Sequence, residues 1–365
     1  MKKSVELGKT LLVNGSASVK VLSGKAEVFG YVIGEGQHIV VREGKRQPFF
    51  VLENTEFQVL LGLNGSVQEV ETSTIPVSWD DALQMVRAIE KKDKPVVVMV
   101  VGKVDVGKSS FSTYLVNRLV NGKSMIVVLD SDLGQSEIGP PCTVAYGYSV
   151  KRVTEICELN TGNAFFVGAT SPVDVVNRAI EGSVEMFKEI MQKVGVGYVI
   201  VNTDGWVDGE EAINHKLQLV RQLKPDLVIG MGNQENLGPL FLGLSSVSTC
   251  CIEPSASVNE RVSEKRTKLR ELNYMKYLKG AKVRSFVSSY MTILERGCLP
   301  KEAGREKGIL VGLQDVKGGF LGIGILLEFN RVKRFMKVLT SVSCKPAGIV
   351  IGRMRLDPEL KELTL

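Results

Sequence analysis

The stretch Gly102-Lys-Val-Asp-Val-Gly-Lys108-Ser109 carries two glycines, a lysine and a serine at the spacing G-x-x-x-x-G-K-S. That spacing lets a loop curl until successive backbone N–H groups face an anion, with a helix N-terminus behind them. Gly102, Lys103, Val104, Asp105, Val106 and Gly107 form the cradle. Lys108 can reach the β- and γ-phosphates of a nucleoside triphosphate, the Ser109 hydroxyl is placed to ligate Mg²⁺, and Ser110 can add an α-phosphate contact. The bland alternative is an ordinary glycine-containing turn, and the order strand, loop, helix argues against it. Farther on, Asp130-Ser-Asp132-Leu-Gly134-Gln135 ends a strand with two carboxylates that share one face of an extended backbone. Such groups can bind Mg²⁺ or accept a proton from an attacking hydroxyl. Taken alone, the same pattern is often just the start of a loop.

Two further groups bear on what receives the phosphate. Thr203-Asp-Gly205-Trp206 follows an apolar strand. A tryptophan there can stack on a base, worth about 1–3 kcal/mol, or can merely plug the end of the sheet. Arg261, Arg266 and Arg270 follow one another at intervals of five and four, and the last two share a helical face. Arginines that close over a transferring phosphoryl group stabilise its charge and exclude water, although this pattern is more often a solvated face. Gly232-Asn-Gln-Glu-Asn236 lacks the N-K-x-D of a guanine site, which favours ATP.

These groups need elements to hold them. The continuous β-branched run Val96–Val101 predicts a strand buried on both faces. Further strands are expected at Ser124–Leu129, Ala164–Gly168, Tyr198–Asn202, Leu227–Met231 and Ser248–Ile252, with helices at Trp79–Lys92 and near 109–121, 172–194 and 209–223. This alternation predicts an α/β P-loop core with a mostly parallel, doubly wound sheet over residues 73–280. Ser257–Lys279 is expected to form a charged lid helix within it. Residues 1–72 show short segments, Ser18–Leu22, Ala26–Ile33, His38–Arg42, Pro48–Leu52 and Phe57–Leu61, between polar turns, and predict a small β-sandwich or barrel. Residues 281–365, with Gly308–Leu313, Phe320–Phe329 and Gly348–Met354, predict a C-terminal β-rich domain.

The chain has 365 residues, 44% hydrophobic and 24% charged, which excludes disorder as the main state. No apolar run approaches the ~18 residues of a membrane span, and nothing apolar follows Lys2 and Lys3, so no secretory signal and no membrane partner are expected. Six cysteines without repeated spacing, and only His38 and His215, do not suggest a disulfide framework or a zinc cluster. The expected compartment is the cytoplasm, or the nucleus in a eukaryote. The net charge of +6 is uneven. Residues 261–284 hold nine Lys or Arg against Glu264 and Glu271, and the remainder carries one net negative charge. An anionic partner, or a solvated basic face, would explain this.

With these motifs in order, the sequence resembles the polynucleotide 5′-hydroxyl-kinases, the family of the pre-mRNA cleavage-complex kinase subunit and of pre-ribosomal-RNA processing kinases. Val19-Lys-Val-Leu22-Ser-Gly24-Lys-Ala26-Glu27-Val-Phe29-Gly30 is similar to the family's N-terminal signature, and the central motifs follow at the family's spacing. The resemblance implies that Lys108 and Ser109 hold ATP phosphates and Mg²⁺ and that Asp132 orients or deprotonates a 5′-hydroxyl; Asp130 is a further candidate metal ligand from its place at the strand end. The resemblance places Gln135 near the acceptor phosphate or metal shell. Thr203, Gly205 and Trp206 would clasp the first nucleotides, and Arg266 and Arg270 would be the lid pair; Arg261, in the same basic run, is a candidate RNA contact by its charge. The acceptor would be single-stranded or duplex RNA with a 5′-OH end, with DNA left open, and RNA-processing proteins would be partners. Ser136-Glu-Ile-Gly-Pro140-Pro141-Cys looks closer to the ribosomal-RNA branch, and the subfamily stays open. The rival expectations are a non-catalytic ATP-bound scaffold and an ATPase or small-molecule kinase.

Overall fold

A computed structural model of the chain describes residues 1–90, 93–258, 261–295, 304, 306–330 and 332–363. Residues 91–92 of the expected helix Trp79–Lys92, and 259–260 of the expected lid helix, lie outside the described residues. By its internal contacts the chain forms two units. One comprises Met1–Leu129, Gly147–Asn160 and Glu189–Arg261, and the other Asp130–Tyr146, Thr161–Lys188 and Val262–Leu365.

The first unit begins with seven strands: β1 (Lys2–Val5), β2 (Thr10–Asn14), β3 (Ala17–Val28), β4 (Tyr31–Gly34), β5 (His38–Val41), β6 (Arg46–Leu61) and β7 (Ser66–Val70). The early half of β3 pairs with β5 and its late half with β4. Likewise β6 pairs first with β2 and then with β1. Long strands shared in this way build the expected β-domain, with seven strands where five segments were named: Pro48–Leu52 and Phe57–Leu61 lie within the single strand β6, and β1, β2 and β7 were not expected. Ser23-Gly24 does not end a strand. The register slips there against β6, and Gly24, at φ +80°, supplies a backbone conformation suited to a bulge. The expected strand Ala26–Ile33 is instead a hairpin, because Phe29 and Gly30 both take positive φ, at 45° and 80°, and form a two-residue turn.

After α1 (Val77–Arg87) come β8 (Val96–Gly102), α2 (Lys108–Leu119), β9 (Met125–Asp130), β10 (Thr143–Ser149), β11 (Asn160–Phe166), α3 (Val176–Met191), β12 (Val196–Asn202), α4 (Glu210–Leu223), β13 (Leu227–Met231), α5 (Gln234–Leu242) and β14 (Ser248–Ile252). In the first unit the order is β9-β12-β8-β13-β14, with β12, β8, β13 and β14 joined in parallel. Every residue of β8 is buried, as a strand covered on both faces requires. Trp79 of α1 packs edge-on to Phe111 and Tyr114 of α2, at 5.1 and 5.4 Å between centroids, and lies over Phe29 at 6.4 Å. Asn117 donates to the carbonyls of Phe29 and Val153, and so ties the β-domain to the core. The sequence reading missed β10 and α5. Pro239 inside α5 is a poor helix former.

The second unit contains α6 (Ser263–Tyr277), β15 (Lys282–Val287), β16 (Thr292–Glu295), β17 (Ile309–Gln314), β18 (Phe320–Asn330), β19 (Phe335–Thr340) and β20 (Gly348–Arg355). Its six-stranded sheet runs β15-β19-β18-β17-β20-β16. Three of these strands were expected. The missed strands are β15, β16 and β19; β15 (Lys-Val-Arg-Ser-Phe-Val) and β19 (Phe-Met-Lys-Val-Leu-Thr) carry no strict polar–apolar alternation to announce them, although every second residue of β19 is buried. One face buries Phe286, Val311, Leu313, Met336 and Ile351. The other packs Tyr274 and Leu278 with Cys142, Phe166 and Ile323. The helix expected from Ser257 starts at Ser263, which leaves Arg261 outside it.

Candidate active site

In the first unit, β8 delivers the loop and α2 receives it. Gly107 takes a left-handed conformation, φ 100° and ψ 20°, immediately before Lys108, and Asp105 also has positive φ. A Cβ on Gly102 would lie 2.5 Å from the Met231 carbonyl oxygen, so only glycine passes there. Lys108 is 6% exposed, and its Nζ donates to the carbonyls of Gly102, at 3.0 Å, and Lys103, at 2.7 Å. The ammonium thus lies folded over the loop it would serve. Asn202, at the end of β12, donates to Ser109 Oγ at 3.5 Å. A hydroxyl at a helix head is the hard oxygen donor that suits Mg²⁺. Lys103 pairs with Asp208 at 3.0 Å.

The loop after β12 is built onto this cradle. Thr203 Oγ1 donates to the Val100 carbonyl of β8 at 2.8 Å. A Cβ on Gly205 would lie 2.4 Å from Val104 Cγ2 and 2.5 Å from Val104 N, so this glycine lets the two loops touch. Asp204 accepts the Trp206 backbone N–H on Oδ1 at 2.9 Å. Its Oδ2 receives Lys216 Nζ at 2.6 Å and His215 Nε2 at 3.4 Å. Burial alone would raise the Asp204 carboxyl, but the Lys216 ammonium, with His215, overcomes it and holds the group well below the usual carboxylate range. Burial pushes His215 down, and its ring stacks on Trp206 at 5.7 Å and 30°. Arg261 also reaches the cradle: its backbone N–H donates to Asp105 Oδ2 at 3.0 Å and its guanidinium to Oδ1 at 3.4 Å.

In the second unit, Asp130 and Asp132 shape one turn. Asp132 Oδ1 accepts the N–H groups of Gly134, at 3.0 Å, and Gln135, at 2.9 Å. Asp130 is fully buried and accepts from the N–H of Asp132 and of Glu137. Gln135 Nε2 donates to the Arg266 carbonyl at 3.3 Å, which joins the turn to α6. Arg270 forks onto Glu362, both bonds 2.6 Å, and also donates to Thr267. Tyr274 donates to the same carboxylate at 3.2 Å.

Gly102–Ser110, Thr203, Gly205, Trp206 and Arg261 thus gather in one unit, and Asp130, Asp132, Gln135, Arg266 and Arg270 in the other. The sequence reading gave no role to Asn202, Asp204, His215 or Lys216. Asp204 stood inside the Thr203–Trp206 motif and was the available signal. His215 and Lys216 are ordinary helix residues until the fold brings His215 against Trp206 and Lys216 against Asp204.

Residues 102–280 match the family model of the mRNA cleavage and polyadenylation factor CLP1 P-loop. A polyribonucleotide 5′-hydroxyl-kinase of Pyrococcus abyssi is 24% identical over 80% of this chain and 96% of its own length. One of Methanocaldococcus jannaschii is 25% identical over 80% and 95%. Among solved structures, wild-type Clp1p in complex with Pcf11p superposes with a TM-score of 0.75, covering 97% of each chain at 15% identity, a likeness of fold. A phosphate cradle, a tryptophan loop seated on it and a β-rich domain at either end accompany these matches; residues 102–280 belong to the CLP1 P-loop family, and most of the chain is similar to polyribonucleotide 5′-hydroxyl-kinases.

Proposed function

We propose that this protein transfers the γ-phosphate of ATP to the 5′-hydroxyl of RNA. The observation that carries this reading is the seating of the Thr203–Trp206 loop on the phosphate cradle, with Gly205 against Val104. A donor site and a stacking surface for an acceptor base are then parts of one construction. The 5′-oxygen attacks the γ-phosphorus, the bond to the β–γ bridging oxygen breaks, and ADP leaves. Asp132 takes the hydroxyl proton. Lys108 exchanges its two carbonyl partners for phosphate oxygens, and the loop N–H groups hold the remainder. Mg²⁺, bound with ATP, supplies neutralisation of phosphate charge, and Ser109, Asp130 and Asp132 are the oxygen donors that would hold it. Arg266 and Arg270 cap the transferring group, for which Arg270 must leave Glu362. Thr203, Gly205, Trp206, Gln135 and Arg261 hold the acceptor.

We place the protein in the cytoplasm, or in the nucleus of a eukaryotic cell, with RNA-processing proteins as partners. Among the described residues no helix is long and apolar enough to cross a membrane.

Incubation with γ-labelled ATP and 5′-OH RNA, single-stranded and duplex, tests the reading. Labelled RNA is expected. Free phosphate alone would mean an ATPase, and neither product a scaffold. Lys108→Ala and Asp132→Ala should each abolish labelling; near wild-type transfer by the second would remove Asp132 as proton acceptor.

A further inference from the structure

We infer that His215 and Lys216 of α4 are positioning residues for Trp206: Lys216 through Asp204, and His215 through its stacked ring, hold the indole as a preset stacking surface for the acceptor's terminal base. The inference rests on the reading of Trp206 as part of the acceptor site.

One carboxylate links two elements. Asp204 Oδ1 fixes the turn that presents Trp206, and Oδ2 binds the turn to α4 through Lys216 and His215. The supports are buried, with Asp204, His215 and Lys216 at 5%, 2% and 0% exposure, while Trp206 is only partly covered. His215 donates from Nε2, and its Nδ1 is buried without a hydrogen-bond partner. That arrangement fits the neutral ring, because a proton on Nδ1 would have no acceptor. Lys216 supplies the positive charge that Asp204 requires, which leaves the imidazole as an uncharged plane beneath the indole.

Stability alone does not account for this choice. A buried ion pair is seldom more stable than well-packed apolar residues of similar volume, whereas its directional bonds define one geometry. A free indole would have to be ordered each time an acceptor bound; one already seated on His215 does not, and the saving appears as affinity. Gly205, pressed on Val104, sets the same loop against the phosphate cradle from its other side.

The test uses the full chain with a 5′-OH oligoribonucleotide and ATP. His215→Ala should raise the acceptor KM roughly tenfold, the effect of having to order one side chain. The ATP KM and the kcat at saturating acceptor should stay within about twofold, because the phosphate cradle is untouched. His215→Phe, which restores a plane without the bond to Asp204, should recover most of the lost affinity. Fluorescence supplies a second readout, since the chain has two tryptophans and Trp79 is fully buried. Quenching by the oligonucleotide should report Trp206, weaken in His215→Ala and return in His215→Phe. If His215→Ala fails to fold, His215→Leu fills the space without a plane and takes its place in the comparison. An unchanged acceptor KM in either variant, alongside a raised KM in Trp206→Ala, would overturn the inference and leave His215 as packing. An unchanged acceptor KM and binding in Trp206→Ala would instead show that the acceptor-site reading had failed, and the inference would fall with it.

Discussion

Asp204 divides its carboxylate between a turn and a helix, and the residues that complete it carry a pH signature. In the unfolded chain His215 titrates near its ordinary value of about 6.5. In the folded chain burial pushes it lower, with the Lys216 ammonium adding to the effect and the bond to Asp204 opposing it. The folded state therefore binds fewer protons between the two values. His215's contribution to stability is fully present above about pH 6.5 and is lost as pH falls toward the folded value. Urea unfolding of the wild type should lose stability between about pH 7.5 and about pH 5.5 more steeply than His215→Phe does. Parallel curves would show that the ring is not held neutral. Legibility at this scale followed chemistry rather than burial. Lys108, Ser109 and Trp206 announce themselves by type and spacing. His215 and Lys216 do not, because an amphipathic helix places such residues anywhere, and only folding sets the one against the indole and the other against Asp204.

At the scale of elements, the informative errors lie where one element is held by another. The charged run suggested a helix from Ser257, but Arg261 gives its backbone N–H to Asp105 of the cradle, and α6 begins two residues later. In β3, Gly24 marks a bulge rather than a turn because β6 pairs alongside and carries the strand past it. Local composition cannot supply either partner. The same dependence makes Gly205→Ala a sensitive probe. Its new Cβ would meet Val104 N at 2.5 Å, in backbone that has little room to yield. Overpacking of this kind costs about 1–3 kcal/mol. Here it should appear as a rise in both ATP and acceptor KM, and as a smaller thermal shift on adding ATP. A rise confined to the acceptor would show that the two loops move independently. In the second unit, Glu362→Ala leaves the Arg270 guanidinium, 15% exposed, without its carboxylate. Loss of one partner from such a pair costs about 3 kcal/mol, and a lower denaturant midpoint should report it.

At the scale of the whole molecule, the charge excess acquires an address. The basic residues of 261–284 do not all serve the same end. Arg270 is engaged by Glu362, and Arg284 donates to the carbonyls of Val342 and Cys344, so both are committed within the fold. Lys265, Lys268, Lys276, Lys279 and Lys282 are exposed, on and just beyond α6. If these lysines draw in the acceptor's phosphates, acceptor affinity should fall with salt along a straight log–log line, with a slope of about 0.7 per neutralised phosphate. ATP affinity should respond less, because its phosphates meet backbone N–H groups and the buried Lys108 rather than a field of exposed charge. Replacing Lys265 and Lys279 by Gln should reduce the acceptor slope by about 0.7 for each charge that touches a phosphate. Fluorescence titrations from about 0.05 to about 0.3 M salt would measure it. A slope unchanged by both replacements would return this stretch to a solvated helix face, and the acceptor would then be held without help from these lysines.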